Sequence, residues 1–357
     1  MSSNQRALTL YDLFPVYTKN AMTTALDAEV FLDTVPEGKK AIGTHSGMFH
    51  SDEALSVSLL RLLPEYHNHV VVRTRNPDVL KECDIVVDVG GSYDFNTKHF
   101  DHHQKGFFET FDEKHKTKLS SAGLVWKHFG KAILQHYCNK SFDDAVLRSL
   151  WMKMYDGFVE EIDGVDNGVD AYTGERNYAV STTVSKRVSR LYPAWNEPYS
   201  ADVELERFRM AMALMSGEFA EHVHELVDVL LPAQTIVEKA FDEASKVDPS
   251  GSILLFEQSC NYMEFLYDIE KERNMEGKIK FVVSFNDKDN SWRVRGINVS
   301  RDSFALRQRI LPDCLGMRDE ELSKASGIDG CVFVHISGFL AINKTKEGAL
   351  EMARKSL

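Results

Sequence analysis

The sequence contains no Cys-x-x-Cys pair, no Gly-x-Ser-x-Gly elbow, no Walker loop and no dinucleotide fingerprint. Cysteine-ligated zinc, acyl transfer, nucleoside triphosphate switching and hydride transfer therefore lack their usual signatures. Cysteine is scarce: Cys83, Cys138, Cys260, Cys314 and Cys331 are odd in number and scattered along 357 residues. That usage fits a reducing compartment with thiols packed as small apolar groups, not a disulfide framework. No run approaches eighteen uninterrupted apolar residues, so a membrane-spanning helix is not expected. Positive charge is in deficit, with 42 Lys and Arg against 54 Asp and Glu and a formal net charge of −12. Such a chain is neither a nucleic-acid coat nor a polybasic membrane binder, although a local basic patch can still hold phosphates.

The remaining composition, 43% hydrophobic and 27% charged, is that of a globular protein long enough for two cores. The first 26 residues carry Arg6 and Lys19 against Asp12, a weak match to a mitochondrial presequence. Residues 1–38 are accordingly expected to be an N-terminal extension, unstructured or targeting. The next stretch alternates short apolar runs (Ala41–Thr44, Val70–Val72, Ile85–Val89) with helical periodicity, at Leu55, Leu59, Leu62 and Leu63 and again over residues 121–138. This alternation predicts β-α-β units and a parallel sheet, with ligands at the carboxyl ends of the strands. Apolar residues from Phe208 to Leu230 recur at helical steps until Pro232 interrupts them, and a strand-rich module follows Pro249. The expected organisation is an α/β catalytic domain over residues 39–195, a helical connector over 196–248 and a smaller α/β substrate domain over 249–357.

Histidine is the unevenly spread residue. Ten of thirteen lie between His45 and His136. Asp101-His102-His103 offers three ligand types for Mn²⁺, Mg²⁺ or Zn²⁺ but is weak evidence alone. It is accompanied by His45, His50 and Asp52 after the first predicted strand, by Asp88 inside an apolar run, and by the acidic group Glu160 to Asp166. A carboxylate in a buried parallel strand is costly unless paired or bound to a cation. Asp84, at the other end of that strand, is expected to face away from the site. Four acid and histidine clusters at successive element ends form a ligand set suited to a two-metal hydrolase, whose ions lie roughly 3.5–4 Å apart and stabilise displacement at phosphorus.

The order His…His-x-Asp, Val-Asp-Val-Gly, Asp-His-His and a late Asp resembles the DHH phosphoesterase superfamily, which includes RecJ-type exonucleases and manganese pyrophosphatases. Gly43 to Leu55, Phe100 to Gln104, Leu119 to Val125, Asn177 to Asn196, Phe333 to Phe339 and Asn343 to Thr345 more closely resemble the melanocyte-proliferating-gene exonuclease family, over roughly residues 40–357. The resemblance implies a 3′–5′ exonuclease on single-stranded RNA in nucleus and mitochondria, dependent on two divalent ions, with Mn²⁺ favoured over Mg²⁺. It implies His45, His50, Asp52, Asp88, His102 and Asp163 as metal ligands, with Asp166 weighed beside Asp163. Asp101 then supports the cluster and His103 faces substrate phosphate. Two departures stand out. The first motif reads His45-x4-His50-x-Asp52, where the superfamily has His-x3-Asp-x-Asp. Ala341 and Ile342 stand where glycines are expected after Phe339; if that turn touches a phosphate, they narrow the approach.

Two stretches break the acidic trend. Residues 176–195 hold Arg176, Lys186, Arg187 and Arg190 without an acid, and residues 278–309 carry a net +5. Arg187, Arg295, His335 and Lys344 are the expected phosphate contacts, with Trp292 and Phe339 as stacking aromatics. Two rivals to the exonuclease remain: a phosphoesterase acting on short oligonucleotides, bisphosphonucleotides or pyrophosphate, and a binding protein that keeps its metals for structure.

Overall fold

A computed structural model describes residues 15–175 and 177–357. Arg6 and the start of the expected targeting segment, like Arg176, lie outside them. The chain divides into two compact units, residues 1–227 and 228–357.

The first unit is built on a six-stranded sheet of β1 (Val30–Leu32), β2 (Ala41–Thr44), β3 (Val70–Arg73), β4 (Ile85–Val87), β5 (Tyr93–Asp94) and β6 (His99–Phe100). Their order is β1-β3-β2-β4-β6-β5, and every pairing is parallel except β5 with β6. β2, β3 and β4 are buried at every position, as continuous Val and Ile runs require when both faces are covered. Its helices are α1 (Val16–Leu26), α2 (Ser51–Arg61), α3 (Pro77–Leu80), α4 (Ser121–Cys138), α5 (Asp144–Met154), α6 (Glu160–Asp166), α7 (Val184–Ser189) and α8 (Ala201–His224). All of α2 is buried, with α4 and α8 against it. Its serines are tolerated there because Ser56 and Ser58 donate to the carbonyls of Asp52 and Ala54, at 2.8 and 2.7 Å.

The second unit carries α9 (Leu231–Val247), β7 (Ile253–Phe256), α10 (Met263–Glu272), β8 (Phe281–Asn286), β9 (Ser291–Gly296), α11 (Asp319–Ser326), β10 (Cys331–Val334), β11 (Leu340–Asn343) and α12 (Lys346–Arg354). Its sheet runs β10-β11-β9-β8-β7. Alternate residues feed two cores: Ile253, Phe281 and Val283 meet residues of α11 and α12, whereas Leu254, Phe256 and Val282 meet those of α9 and α10. The α/β class, the parallel sheet and the smaller α/β second unit agree with the sequence reading.

Three expectations change. Residues 16–38 are not an unstructured extension, because α1 packs on α8 and β1 pairs with β3. The helical connector does not stand alone: α8 packs with α1 and α2, and α9 with β7. Pro232 does not break the helix there. A π-helical segment, Glu225–Leu230, leads into α9, whose first turn holds the proline where an amide hydrogen is dispensable.

Candidate metal centre

Parallel pairing of β3, β2, β4 and β6 brings four carboxyl ends to one edge of the sheet, and the residues that follow them are Arg75, His45, Asp88 and Asp101–His103. The chain reverses its direction of growth between β2 and β4, the kind of crevice where open α/β sheets bind ligands. Here a cavity of about 580 Å³ is lined by His45, His50, Asp88, Asp101, His103 and Asp166, among others. Asp84 lies at the opposite end of its strand, accepting from the Ala41 amide at 2.9 Å, as expected.

Asp88 is the centre. It follows β4 with a φ of 57°, a left-handed conformation that is strained for a residue with a side chain. One carboxylate oxygen stands 3.3 Å from His45 Nε2 and the other 3.3 Å from His102 Nε2. Burial favours the neutral acid, but His102 and His45 more than offset it and hold Asp88 well below the usual carboxylate range. His45 is depressed by burial and pushed up to about 10 by Asp88 and Glu53. His102 is raised to about 9 against its own burial by Asp166 and Asp88. Asp52 moves the other way: burial and the nearby Asp88, Asp166 and Glu53 carboxylates raise it well above the ordinary range.

Ligand atoms fall into three overlapping groups, each within 4.8 Å: His45, His50, Glu53 and Asp88; Asp88, Asp101, His102 and His103; and His50, Asp52 and Asp166. Buried polar groups are ordinarily paired. Yet Asp52 Oδ1, Asp88 Oδ1 and both ring nitrogens of His102 are buried without a hydrogen-bond partner. His102 Nε2 is only 3.1 Å from Asp166 and 3.3 Å from Asp88, so these atoms converge without the alignment of hydrogen bonds. Hard oxygen and imidazole donors converging in this way fit divalent cations.

Asp101 and His103 form a dyad at the cavity. Asp101 Oδ1 is 2.7 Å from His103 Nδ1, while its other oxygen accepts from the Gly91 amide at 2.5 Å. Asp101 raises the His103 imidazole, whose ring is largely exposed. Orienting one ring nitrogen with a carboxylate leaves the other facing outward.

Asp163 does not join the cluster, a correction to the sequence reading. Its Oδ1 accepts from the Ser120 amide, the Ser120 hydroxyl and the Gly123 amide at 3.0, 2.7 and 2.9 Å, and Oδ2 accepts from Tyr155 at 3.0 Å. A carboxylate so engaged ties α4 to α6 and has little capacity left for an ion. Asp166, one turn later, reaches the site instead.

Two further residues escaped the sequence reading. Glu53 accepts from the His50 amide at 2.8 Å and stands 3.1 Å from His45 Nε2. Its signal was its place three residues after His50, the residue that caps α2, which marks a capping box. Among the described residues Arg75 is the one Arg or Lys lining the cavity, with Nε donating to the Ser46 carbonyl at 3.2 Å. It follows a predicted strand, the position where ligand contacts concentrate. Arg187, expected to bind phosphate, is paired with Glu218 at 2.5 Å and does not line the cavity.

The basic stretch 278–309 is also less basic than its composition. Arg293 pairs with Asp289, Arg301 with Asp268 and Arg307 with buried Glu270. Arg295 stays exposed, 6.0 Å from the Phe339 ring, in a second cavity of about 480 Å³ within the second unit. Phe339 also packs against His335 at 4.6 Å, and Lys344 is exposed. Trp292 instead packs on Phe285. Ala341 and Ile342 lie in β11, with Ala341 buried in the core, so Ala341 cannot narrow a phosphate-binding turn. That turn is formed before β11 by residues 335–338, where Gly338 has a φ of 73°.

No helix among the described residues is long and apolar enough to cross a membrane. A family model described as "Uncharacterised protein family (UPF0160)", MYG1_exonuc, matches residues 41–357. A MYG1 exonuclease of Bos taurus is 46% identical over 323 residues, covering 88% of this chain and 84% of its own. The Homo sapiens MYG1 exonuclease is 42% identical over 359 residues, 96% of this chain and 93% of its own. A Dictyostelium discoideum MYG1 protein is 42% identical over 88% of this chain and 96% of its own. One solved structure, a pGpG-specific phosphodiesterase, aligns over 89% of this chain and 96% of its own at 14% identity, with a TM-score of 0.26. With the family model spanning most of the sequence and relatives this similar over nearly their full length, the chain belongs to the MYG1 exonuclease family.

Proposed function

We propose that this protein is a metal-dependent phosphodiesterase that shortens single-stranded RNA from its 3′ end, releasing nucleoside monophosphates with two divalent ions, Mn²⁺ in preference to Mg²⁺. The observation that carries the metal reading is Asp88, whose two oxygens face different histidines in the middle of a set of buried, unpartnered donor atoms. His45, His50, Asp52, Asp88, His102 and Asp166 are the proposed ligands, with Asp88 shared. Bound ions would supply charge neutralisation at the phosphate and activation of the attacking water. The support for RNA, for the 3′ end and for a nuclear or mitochondrial setting is the resemblance of the motifs; the exonuclease names of the relatives support a nuclease.

The chain's own groups do the positioning. Asp101 fixes the His103 ring and raises its imidazole, so that the outward ring nitrogen faces the phosphate or the departing oxygen. Arg75 takes a phosphate oxygen, the role Arg187 cannot fill while neutralised by Glu218. In the second unit, Arg295 and Phe339 offer a guanidinium beside an aromatic face, suited to a phosphate and a base, with His335 packed against Phe339; neither His335 nor Lys344 lines that cavity.

The test is digestion of an end-labelled single-stranded RNA of roughly twenty nucleotides with Mn²⁺, beside the same-sequence DNA and a dinucleotide. A ladder shortening from the 3′ end, lost in His102→Ala and Asp101→Ala, is the expected result. Cleavage of the dinucleotide alone would transfer the proposal to a small-substrate phosphoesterase. No cleavage with either Mn²⁺ or Mg²⁺, with His102→Ala merely melting earlier, would leave a structural metal site and no enzyme.

A further inference from the structure

Behind the metal centre, and touching none of its proposed ligands, lies a buried ion pair that serves no evident purpose in the core. Arg73, the last residue of β3, is fully buried, and Glu204, in the first turn of α8, nearly so. Arg73 Nη1 donates to Glu204 Oε1 at 2.6 Å. Removing two charges from water costs more than their attraction usually returns, and apolar residues of similar volume often serve a core equally well. What distinguishes this pair is what else it binds. Arg73 Nη2 donates to the Gly47 carbonyl at 2.9 Å, and Glu204 Oε1 accepts from the Gly47 amide at 3.0 Å. One glycine thus has both backbone groups held by the two halves of one ion pair. Gly47 needs a φ of 89°, which side chains disfavour, so the turn is open to other shapes unless it is held.

The turn runs from His45 to His50; Arg75 holds the Ser46 carbonyl and Glu53 the His50 amide, and between them the same buried pair makes further contacts. The Arg73 guanidinium lies 4.4 Å over the Phe208 ring and 5.5 Å from Phe49, and Phe49 packs on Tyr192 and Phe208. Tyr199, itself exposed, donates its hydroxyl to Glu204 Oε2. The His45 and His50 rings end 5.8 Å apart.

We infer that the Arg73–Glu204 pair is a positioning device, a clamp on the Gly47 peptide groups that sets the spacing of His45 and His50 for cation binding. It rests on the metal reading proposed above. The pair acts through the backbone, so its loss is felt at the ions and not mainly in the fold. Supporting groups behind metal ligands typically alter affinity by about 10–100-fold.

The experiment measures metal-free melting temperature and Mn²⁺ affinity by calorimetry on the full chain. The variants are Arg73→Met with Glu204→Leu, Glu204→Gln and Tyr199→Phe. The apolar double variant should melt within a few degrees of the unaltered protein yet bind Mn²⁺ at least about tenfold more weakly. Glu204→Gln keeps an oxygen for the Gly47 amide and should recover part of that loss. Tyr199→Phe should leave melting unchanged and weaken binding by a factor of about two or three, since it removes only an outer hydrogen bond. A folded double variant with undiminished Mn²⁺ affinity overturns the inference while leaving the metal centre standing. Should the double variant not fold, unchanged affinity in Glu204→Gln overturns it equally. If the unaltered chain binds neither Mn²⁺ nor Mg²⁺, the metal reading falls and takes the clamp with it.

Discussion

Two buried aspartates in one unit are shifted in opposite directions, and the cause is what faces each. Asp88 has two imidazoles and is held low; Asp163 is pushed up to about 7 by burial, its four neutral donors only partly offsetting the loss of water. The folded value of Asp163 lies above the unfolded value of about 3.9, so the folded state keeps a proton that the unfolded state has released. Its stabilisation is therefore complete below pH ~4 and is lost as pH rises through about 7, by up to ~1.4 kcal/mol per pH unit within that window. Urea midpoints between pH 4 and 8 check this: Asp163→Asn should flatten the slope, and an identical slope in both proteins would refute it. Asp166→Ala should act differently, lowering Mn²⁺ affinity by at least about tenfold with little effect on metal-free melting. Arg75→Ala, at an exposed cavity wall, should raise KM for the proposed RNA substrate more than it lowers kcat, which steady-state kinetics would show. The acidic group 160–166 was visible in the sequence, but choosing between two aspartates three residues apart needed the helix. A three-residue step on α6 turns one carboxylate toward α4 and the other toward the cavity.

At the scale of elements, the helices with strong periodicity were legible. Residues 121–138 form α4, with Ser120, a residue type favoured at helix starts, accepting from the Ala122 amide. α1 and β1 were not legible. α1 spreads Ala, Thr and Met around its turns, β1 has three residues, and both are stabilised by partners distant in sequence. The junction of α4 and α6 also gives a test. A Cβ on Gly123 would lie 2.1 Å from an Asp163 oxygen. Gly123→Ala should therefore destabilise by about 1–3 kcal/mol despite its better helix propensity, read as a lower urea midpoint. A neutral or stabilising effect would mean that α6 moves aside at little cost.

At the scale of the whole molecule, each unit has a core of its own, so residues 228–357 should fold alone with a cooperative thermal transition. Mn²⁺ at one hundred times its Kd should stabilise the first unit by about 2.7 kcal/mol and leave isolated 228–357 unchanged, which calorimetry with and without the ion would check. The sequence by itself determined the α/β class, the strands that end in ligands, and the residues His45, His50, Asp52, Asp88, His102 and His103 that the structure gathers. Apolar runs and polar punctuation are local properties, and a parallel sheet delivers all its strand ends to one edge. Only the tertiary structure decided that Asp166 reaches the cluster and Asp163 does not, that Arg75 faces the cavity while Arg187 is neutralised, and that Arg73 and Glu204 hold Gly47. Each of those outcomes depends on a partner 26 to 157 residues away in the chain, or on which face of a helix is turned inward, and local sequence carries no record of either.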